Sequence, residues 1–141
     1  MSKPFYVTTT IPYVNAPPHI GHALELVQSD VIARYQRTRN HAVRFQTGTD
    51  ENAFKNVLSA RALGIPVQQL TDNNAAHFES LVSALHISTD TFVRTTSDAH
   101  RYAVTSFLAR LNPDDVYRGG YHGLYCTGCE DFYLSADLVD G

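Results

Sequence analysis

Cysteine is scarce in this chain: its 141 residues hold two, Cys126 and Cys129. Two thiols cannot staple a small secreted scaffold, so a disulfide framework is excluded. Charge is also scarce, at 18% of residues, which excludes a disordered acidic tail and a coiled coil. Lysine occurs only at Lys3 and Lys55, the arginines are scattered, and the net charge is −3 with histidines neutral. Composition therefore carries no footprint of a nucleic-acid-binding surface, and any such partner would find its main docking surface elsewhere. No apolar run approaches the length of a membrane span, and the opening Met-Ser-Lys-Pro-Phe-Tyr-Val-Thr has no apolar signal core. A cytoplasmic chain without membrane contact is expected.

What is present suits one ordinary domain, with 43% apolar residues available for a core. Phe5 to Ile11 is β-branched and aromatic and stops at Pro12, a buried-strand signature. Asn15-Ala16-Pro17-Pro18 is turn chemistry. From Gly21 to Arg39, Leu24, Val27, Val31 and Tyr35 recur at spacings of three and four, with Glu25, Gln28, Arg34 and Arg37 on other faces. That pattern predicts an amphipathic helix buried along the apolar stripe. Residues 42–47 read as a second strand, and Glu51 to Ala62 as a helix closed by Gly64. Val67 to Leu85 is helical with an internal boundary at Thr71-Asp72. Residues 91–95 read as a third strand, followed by a helix entered through Thr96-Ser97-Asp98 and running to Leu111.

Strand–helix alternation of this kind predicts an α/β fold with a parallel sheet, the N-terminal half of a doubly wound, Rossmann-like nucleotide-binding domain. After Asp115 the texture changes to Tyr- and Gly-rich sequence without helical periodicity. A boundary is expected there, with residues 1–115 forming the half-domain and 116–141 opening a small β-rich, metal-stabilised module.

His19-Ile20-Gly21-His22 follows the first strand and stands at the mouth of the first helix. Ligands of open α/β sheets bind beyond the carboxyl ends of the strands. A helix N-terminus there offers free N–H groups and a positive dipole end, both suited to phosphate. Gly21 would let a nucleotide approach the backbone. His19 and His22, three apart, would project from one side of the helix and donate to phosphate oxygens. A surface accident or a metal-binding pair is the alternative for so short a motif.

His19-Ile20-Gly21-His22 resembles the HIGH signature of class I aminoacyl-tRNA synthetases. The wider run from Thr10 to Ala23 is similar to the methionyl branch in particular. The resemblance implies methionine–tRNA ligase chemistry for protein biosynthesis, with methionine and Mg-ATP as substrates and tRNA as the acceptor. It implies ATP-binding roles for His19, Gly21 and His22, with both histidines catalytic, and methionine contacts from Ile11 and Tyr13. An apolar wall and an aromatic ring suit a flexible thioether, although Ile11 reads equally well as strand core.

Gly48-Thr49-Asp50-Glu51 resembles the start of the family's Gly-Thr-Asp-Glu-His-Gly run, in which the aspartate meets the amino group of methionine. Asp50 can pair with an α-ammonium and fix the attacking carboxylate; the alternative is a simple cap on the helix expected near Glu51. Asn52 and Ala53 depart from the family's His and Gly.

Tyr125-Cys126-Thr127-Gly128-Cys129-Glu130 resembles the start of the family's inserted domain. Cys126 and Cys129 supply half of a tetrahedral zinc site. Two unliganded cysteines or a redox pair are the alternatives. The family's lysine-rich KMSKS loop has no counterpart among these residues, so the chain alone is expected to form little or no adenylate. Two other readings compete: a split-synthetase half that binds nucleotide beside a complementary chain, and a small nucleotidylyltransferase.

Overall fold

In the computed structural model, which describes residues 3–138, three parallel strands alternate with helices. β1 (Pro4–Thr8) leads through α1 (Ile20–Thr38) to β2 (Ala42–Thr49). α2 (Phe54–Leu63) and α3 (Val67–Ala84) then carry the chain to β3 (Thr91–Arg94), and α4 (Asp98–Leu108) follows. The sheet order is β1-β2-β3, with Val7 opposite Phe45 and Gly48 opposite Val93. The expected half of a doubly wound sheet is present. All three strands point their carboxyl ends to one rim, where the β1–α1, β2–α2 and β3–α4 connections gather.

The core lies between the sheet and its helices. Val7, Leu26, Ala33, Phe45 and Ile87 are buried together, with Phe5, Val43, Leu81 and Val82 packed against them. α1 turns a different face inward from the one its periodicity predicts. Leu24, Val27, Val31 and Tyr35 are exposed, whereas Leu26, Asp30 and Ala33 are buried. Polar chemistry explains the rotation. Asp30 accepts from the backbone N–H and hydroxyl of Ser88 at 2.8 and 2.5 Å and from Arg34 Nε at 2.6 Å. Arg37 reaches Ser88 and Asp90 on the same connection. These polar residues clamp α1 to the α3–β3 connection, and the small Ala33 lets the helix approach the sheet.

Other boundaries differ for local reasons. α3 is continuous through Thr71-Asp72, because Thr71 Oγ1 donates to Gln68 O at 3.0 Å and Asp72 accepts from Gln68 Nε2 at 3.0 Å. Both side chains are satisfied on the helix itself, so nothing interrupts it. α2 starts at Phe54 rather than Glu51, and α4 ends at Leu108 rather than Leu111. Gly64 closes α2 as expected, with φ at 67°, a conformation that glycine adopts without steric cost.

Gly48 is the one glycine the sheet cannot exchange. A Cβ there would lie 2.1 Å from the carbonyl oxygen of Val93 on the neighbouring strand. Gly48→Ala is expected to destabilise the chain by about 3 kcal/mol, the upper part of the range for overpacking, because backbone rather than a side chain must move. Urea unfolding checks this; an unchanged midpoint contradicts it.

Beyond a short 3-10 turn at Pro113–Asp115, β4 (Leu124–Cys126) and β5 (Asp131–Tyr133) form an antiparallel hairpin. The hairpin falls within the stretch expected to be β-rich; residues 139–141 of that stretch lie outside the described residues. No helix among the described residues is long and apolar enough to cross a membrane.

Candidate active site

The histidine pair is built into the start of α1 in a way its spacing did not reveal. The helix begins at Ile20, so His19 is its N-cap, in extended conformation, rather than a helical residue. His19 Nδ1 accepts from the backbone N–H of Gly21, and His22 Nδ1 accepts from the backbone N–H of His19, each at 3.1 Å. This is a reciprocal capping box made from two imidazoles. The rings stack with centroids 3.9 Å apart, and His22 meets the edge of buried Phe78 at 5.0 Å.

A backbone N–H can only donate, so each Nδ1 must carry a lone pair. Each neutral ring then holds its proton on Nε2, the nitrogen the cap does not use. The head of the helix thereby presents two N–H donors with fixed tautomers. Gly21 has a role beyond ligand approach: a Cβ there would sit 2.9 Å from Cε1 of His19, displacing the ring that caps the helix.

Burial, then the neighbouring His19, lowers the pKa of His22 below its ordinary 6.5. A histidine with a depressed folded pKa binds its proton more readily when unfolded. The stability it gives is complete above pH 6.5 and declines as pH falls through that value towards the folded pKa. Protonation also takes the Nδ1 lone pair that holds the His19 N–H. Amide exchange at His19 is therefore expected to accelerate as pH falls below 6.5, after correction for intrinsic rates, while core amides such as Phe45 stay protected. Equal protection of His19 at pH 5 and pH 7.5 contradicts the cap.

Asp50 stands just beyond β2, and its backbone N–H donates to Pro12 O at 2.9 Å, forming a parallel bridge between Tyr13 and Asp50. The bridge joins the β1–α1 connection to the tip of β2. Asp50 does not cap α2, whose N-cap is Ala53. Its Oδ1 instead accepts from Asn52 N at 3.0 Å and Thr95 Oγ1 at 3.4 Å, and it remains half-buried. Asn56 Nδ2 reaches Asp50 O at 3.4 Å. Ile11 and Tyr13 are exposed on the rim, so Ile11 is not strand core. A hydrogen bond to Glu130, above all, raises the Tyr13 phenol above its ordinary pKa.

A narrow crevice at the rim is lined by Thr10, Pro12, His22, Glu25, Gly48 and Phe78, among others. It contains His22 but not His19, Tyr13 or Asp50. Two groups here escaped sequence reasoning. Glu25 accepts from the N–H and hydroxyl of Thr10 at 2.7 and 2.8 Å, tying the exit of β1 to α1. Its spacing of three from His22 was the available signal. Glu51, fully buried at its side chain, takes Arg94 in a two-pronged contact at 2.5 and 3.0 Å. It also accepts from Thr49 Oγ1 at 3.1 Å and from Thr96 Oγ1. Arg94 holds Asp72 of α3 as well. A lone arginine at the end of an apolar strand was the only sequence clue to this network.

Cys126 and Cys129 are free thiols three residues apart on the β4–β5 turn. Cys129 N donates to Cys126 Sγ at 3.4 Å. Backbone N–H bonding from Cys129, with further help from its side chain and from Gly128 N–H, holds the Cys126 thiol below its ordinary pKa. The pair offers a metal two soft donors. Among the described residues no group of three or more His, Cys, Asp or Glu is placed to complete such a site.

A family model described as tRNA synthetases class I (M) matches residues 5–141. A methionine–tRNA ligase of Mycobacterium leprae is 43% identical over 136 residues, covering 96% of this chain and 25% of that protein. One from Rickettsia bellii is 44% identical over 140 residues, covering 99% and 28%. The chain thus spans about a quarter of the length of the curated relatives it matches. The structure of Mycobacterium tuberculosis methionyl-tRNA synthetase in complex with methionyl-adenylate superposes with a TM-score of 0.89 at 42% identity, over 99% of this chain and 28% of that one.

Proposed function

Because this chain belongs to the class I tRNA synthetases of the methionine type, we propose that it is the N-terminal part of a methionine–tRNA ligase, carrying half of the adenylate-forming site. The observation that carries this reading is the reciprocal imidazole cap, which uses Nδ1 of both rings and leaves Nε2 of each outside the cap, at a helix head that follows the first strand of a parallel sheet.

In this reading ATP lies with its phosphates against the head of α1. His19 and His22 donate to phosphate oxygens, and the N-terminal end of the helix adds its dipole. Asp50 holds the α-ammonium of methionine, and Ile11 and Tyr13 border its side chain. The methionine carboxylate attacks the α-phosphorus, a new C–O–P linkage forms, and the bond to the β-phosphate oxygen breaks, releasing pyrophosphate. Negative charge grows on the phosphate oxygens as this happens, and the two neutral imidazoles meet it without giving up a proton. Transfer of the acyl group to the terminal ribose of tRNA follows. Mg accompanies ATP as a substrate component. Cys126 and Cys129 would hold one side of a structural zinc site, which would stiffen the hairpin. The setting is cytoplasmic translation.

A further part of the reading is that the 141 residues act together with more polypeptide, as a longer chain or a complementary one. The exposed stripe of α1 supports this, as does α4, which has no buried residue. Methionine-dependent exchange of pyrophosphate into ATP tests the whole proposal. The 141-residue chain alone is expected to exchange little or none, and a synthetase carrying this segment is expected to exchange with methionine but not leucine. Robust exchange by the isolated chain, or equal exchange with leucine, contradicts it.

A further inference from the structure

We infer that Glu130 is a positioning residue that caps α2 from the Cys126–Cys129 turn and thereby braces Asp50 at the tip of β2 and Tyr13, which is bridged to it. The assignment of that tip as the amino-acid end of the site rests on the function proposed above; the cap itself does not.

α2 lacks a local cap. Its N-cap residue is Ala53, which has no side-chain acceptor, and no acid occupies its first turn. The first N–H groups of a helix need partners from outside it. One is supplied from 75 positions along the chain: Glu130 Oε1 accepts from Lys55 N at 2.9 Å. A carboxylate there also complements the positive end of the helix dipole.

The turn dictates where that carboxylate goes. Glu130 has φ at 56°, the left-handed region that side chains other than glycine seldom adopt. Its N–H donates to Cys126 O at 2.8 Å, and Cys129 N donates to Cys126 Sγ. Tyr125, just before the turn, sets its ring edge-on to Phe54, the first residue of α2, at 6.4 Å. On the other side, Lys55 places its ammonium 5.6 Å over the ring of Tyr13. The capped turn therefore touches the β1–α1 connection directly, and only three residues separate its first helical position from Asp50. Shape changes in the cysteine turn reach the tip through Glu130.

Amide hydrogen exchange on the full chain without ligand tests this. Glu130→Ala is expected to accelerate exchange at Lys55 by roughly fivefold, the factor an ordinary cap is worth. Asn52, whose N–H is held by Asp50, is expected to accelerate with it, while core amides such as Phe45 do not. Adding Ala53→Ser to that variant supplies a local cap at a residue already in capping conformation, and is expected to restore both amides. Unchanged exchange at Lys55 in Glu130→Ala overturns the cap. A response at Lys55 alone, or failure of Ala53→Ser to restore Asn52, overturns the bracing of the tip. Methionine binding by calorimetry, on a synthetase that carries this segment, separates the two levels. Loss of amide protection in Glu130→Ala, where that parent does not bind methionine, supports the positioning role and tells against the proposed substrate.

Discussion

Replacing His22 with alanine in a synthetase that carries this segment is expected to slow methionine-dependent pyrophosphate exchange by ~100- to 1,000-fold, the usual loss when one preorganised donor is removed from a site of developing charge. Two effects are combined in that figure, because the same ring caps the helix and faces the rim. Nδ1 holds the His19 N–H at 3.1 Å, whereas Nε2–H is the donor left for phosphate. His22→Glu separates them. Its carboxylate can accept the His19 N–H, as the glutamate of a conventional capping box does, but has no N–H to give a phosphate oxygen. Helix-head amides are therefore expected to stay protected in His22→Glu while exchange activity remains depressed. Near-normal activity in His22→Ala would remove the ring from the chemistry.

Glu51→Ala is expected to cost the fold about 3 kcal/mol, at the low end for breaking a buried ion pair. Glu51 has no exposed side-chain surface, and Arg94 is about one-third exposed. Removing the carboxylate strands a guanidinium that keeps only Asp72 and partial access to water. It also frees Thr49 and Thr96, whose hydroxyls it accepts. The tips of β2 and β3 and the flank of α3 all lose a shared anchor. Glu51→Gln keeps the shape and some hydrogen bonds, so its loss is expected to be smaller. Denaturant unfolding of both variants checks the order; equal stability of Glu51→Ala and the parent contradicts the clamp.

The elements were legible in the sequence where one physical signal dominated. β-branched runs marked the strands, and Gly64 marked the close of α2. Gly48-Thr49-Asp50 after an apolar run marked a strand tip. Legibility failed where two signals competed. The stripe of Leu24, Val27, Val31 and Tyr35 is the most apolar face of α1, yet the buried face is the one carrying Asp30, because its partners Ser88 and Arg34 satisfy it there. Hydrophobic periodicity cannot see that compensation. The histidine spacing located the helix head but not the cap, since an imidazole in place of Ser or Glu is outside the usual capping chemistry. The Glu51–Arg94 pair and the Glu130–Lys55 cap join residues 43 and 75 positions apart, and long-range pairs leave no periodic trace. Such pairs emerge only once the sheet sets its register.

The central claim is that two neutral imidazoles, fixed by the backbone through Nδ1, offer Nε2–H to the phosphates of ATP. Nitrogen-15 resonances of the histidine rings, recorded on the full chain during titration with Mg-ATP, test it most directly. At neutral pH, both His19 and His22 are expected to show protonated Nε2 and bare Nδ1, and saturating ATP is expected to move the two Nε2 signals. Protons on Nδ1, or Nε2 signals that stay still at saturating ATP, would contradict it.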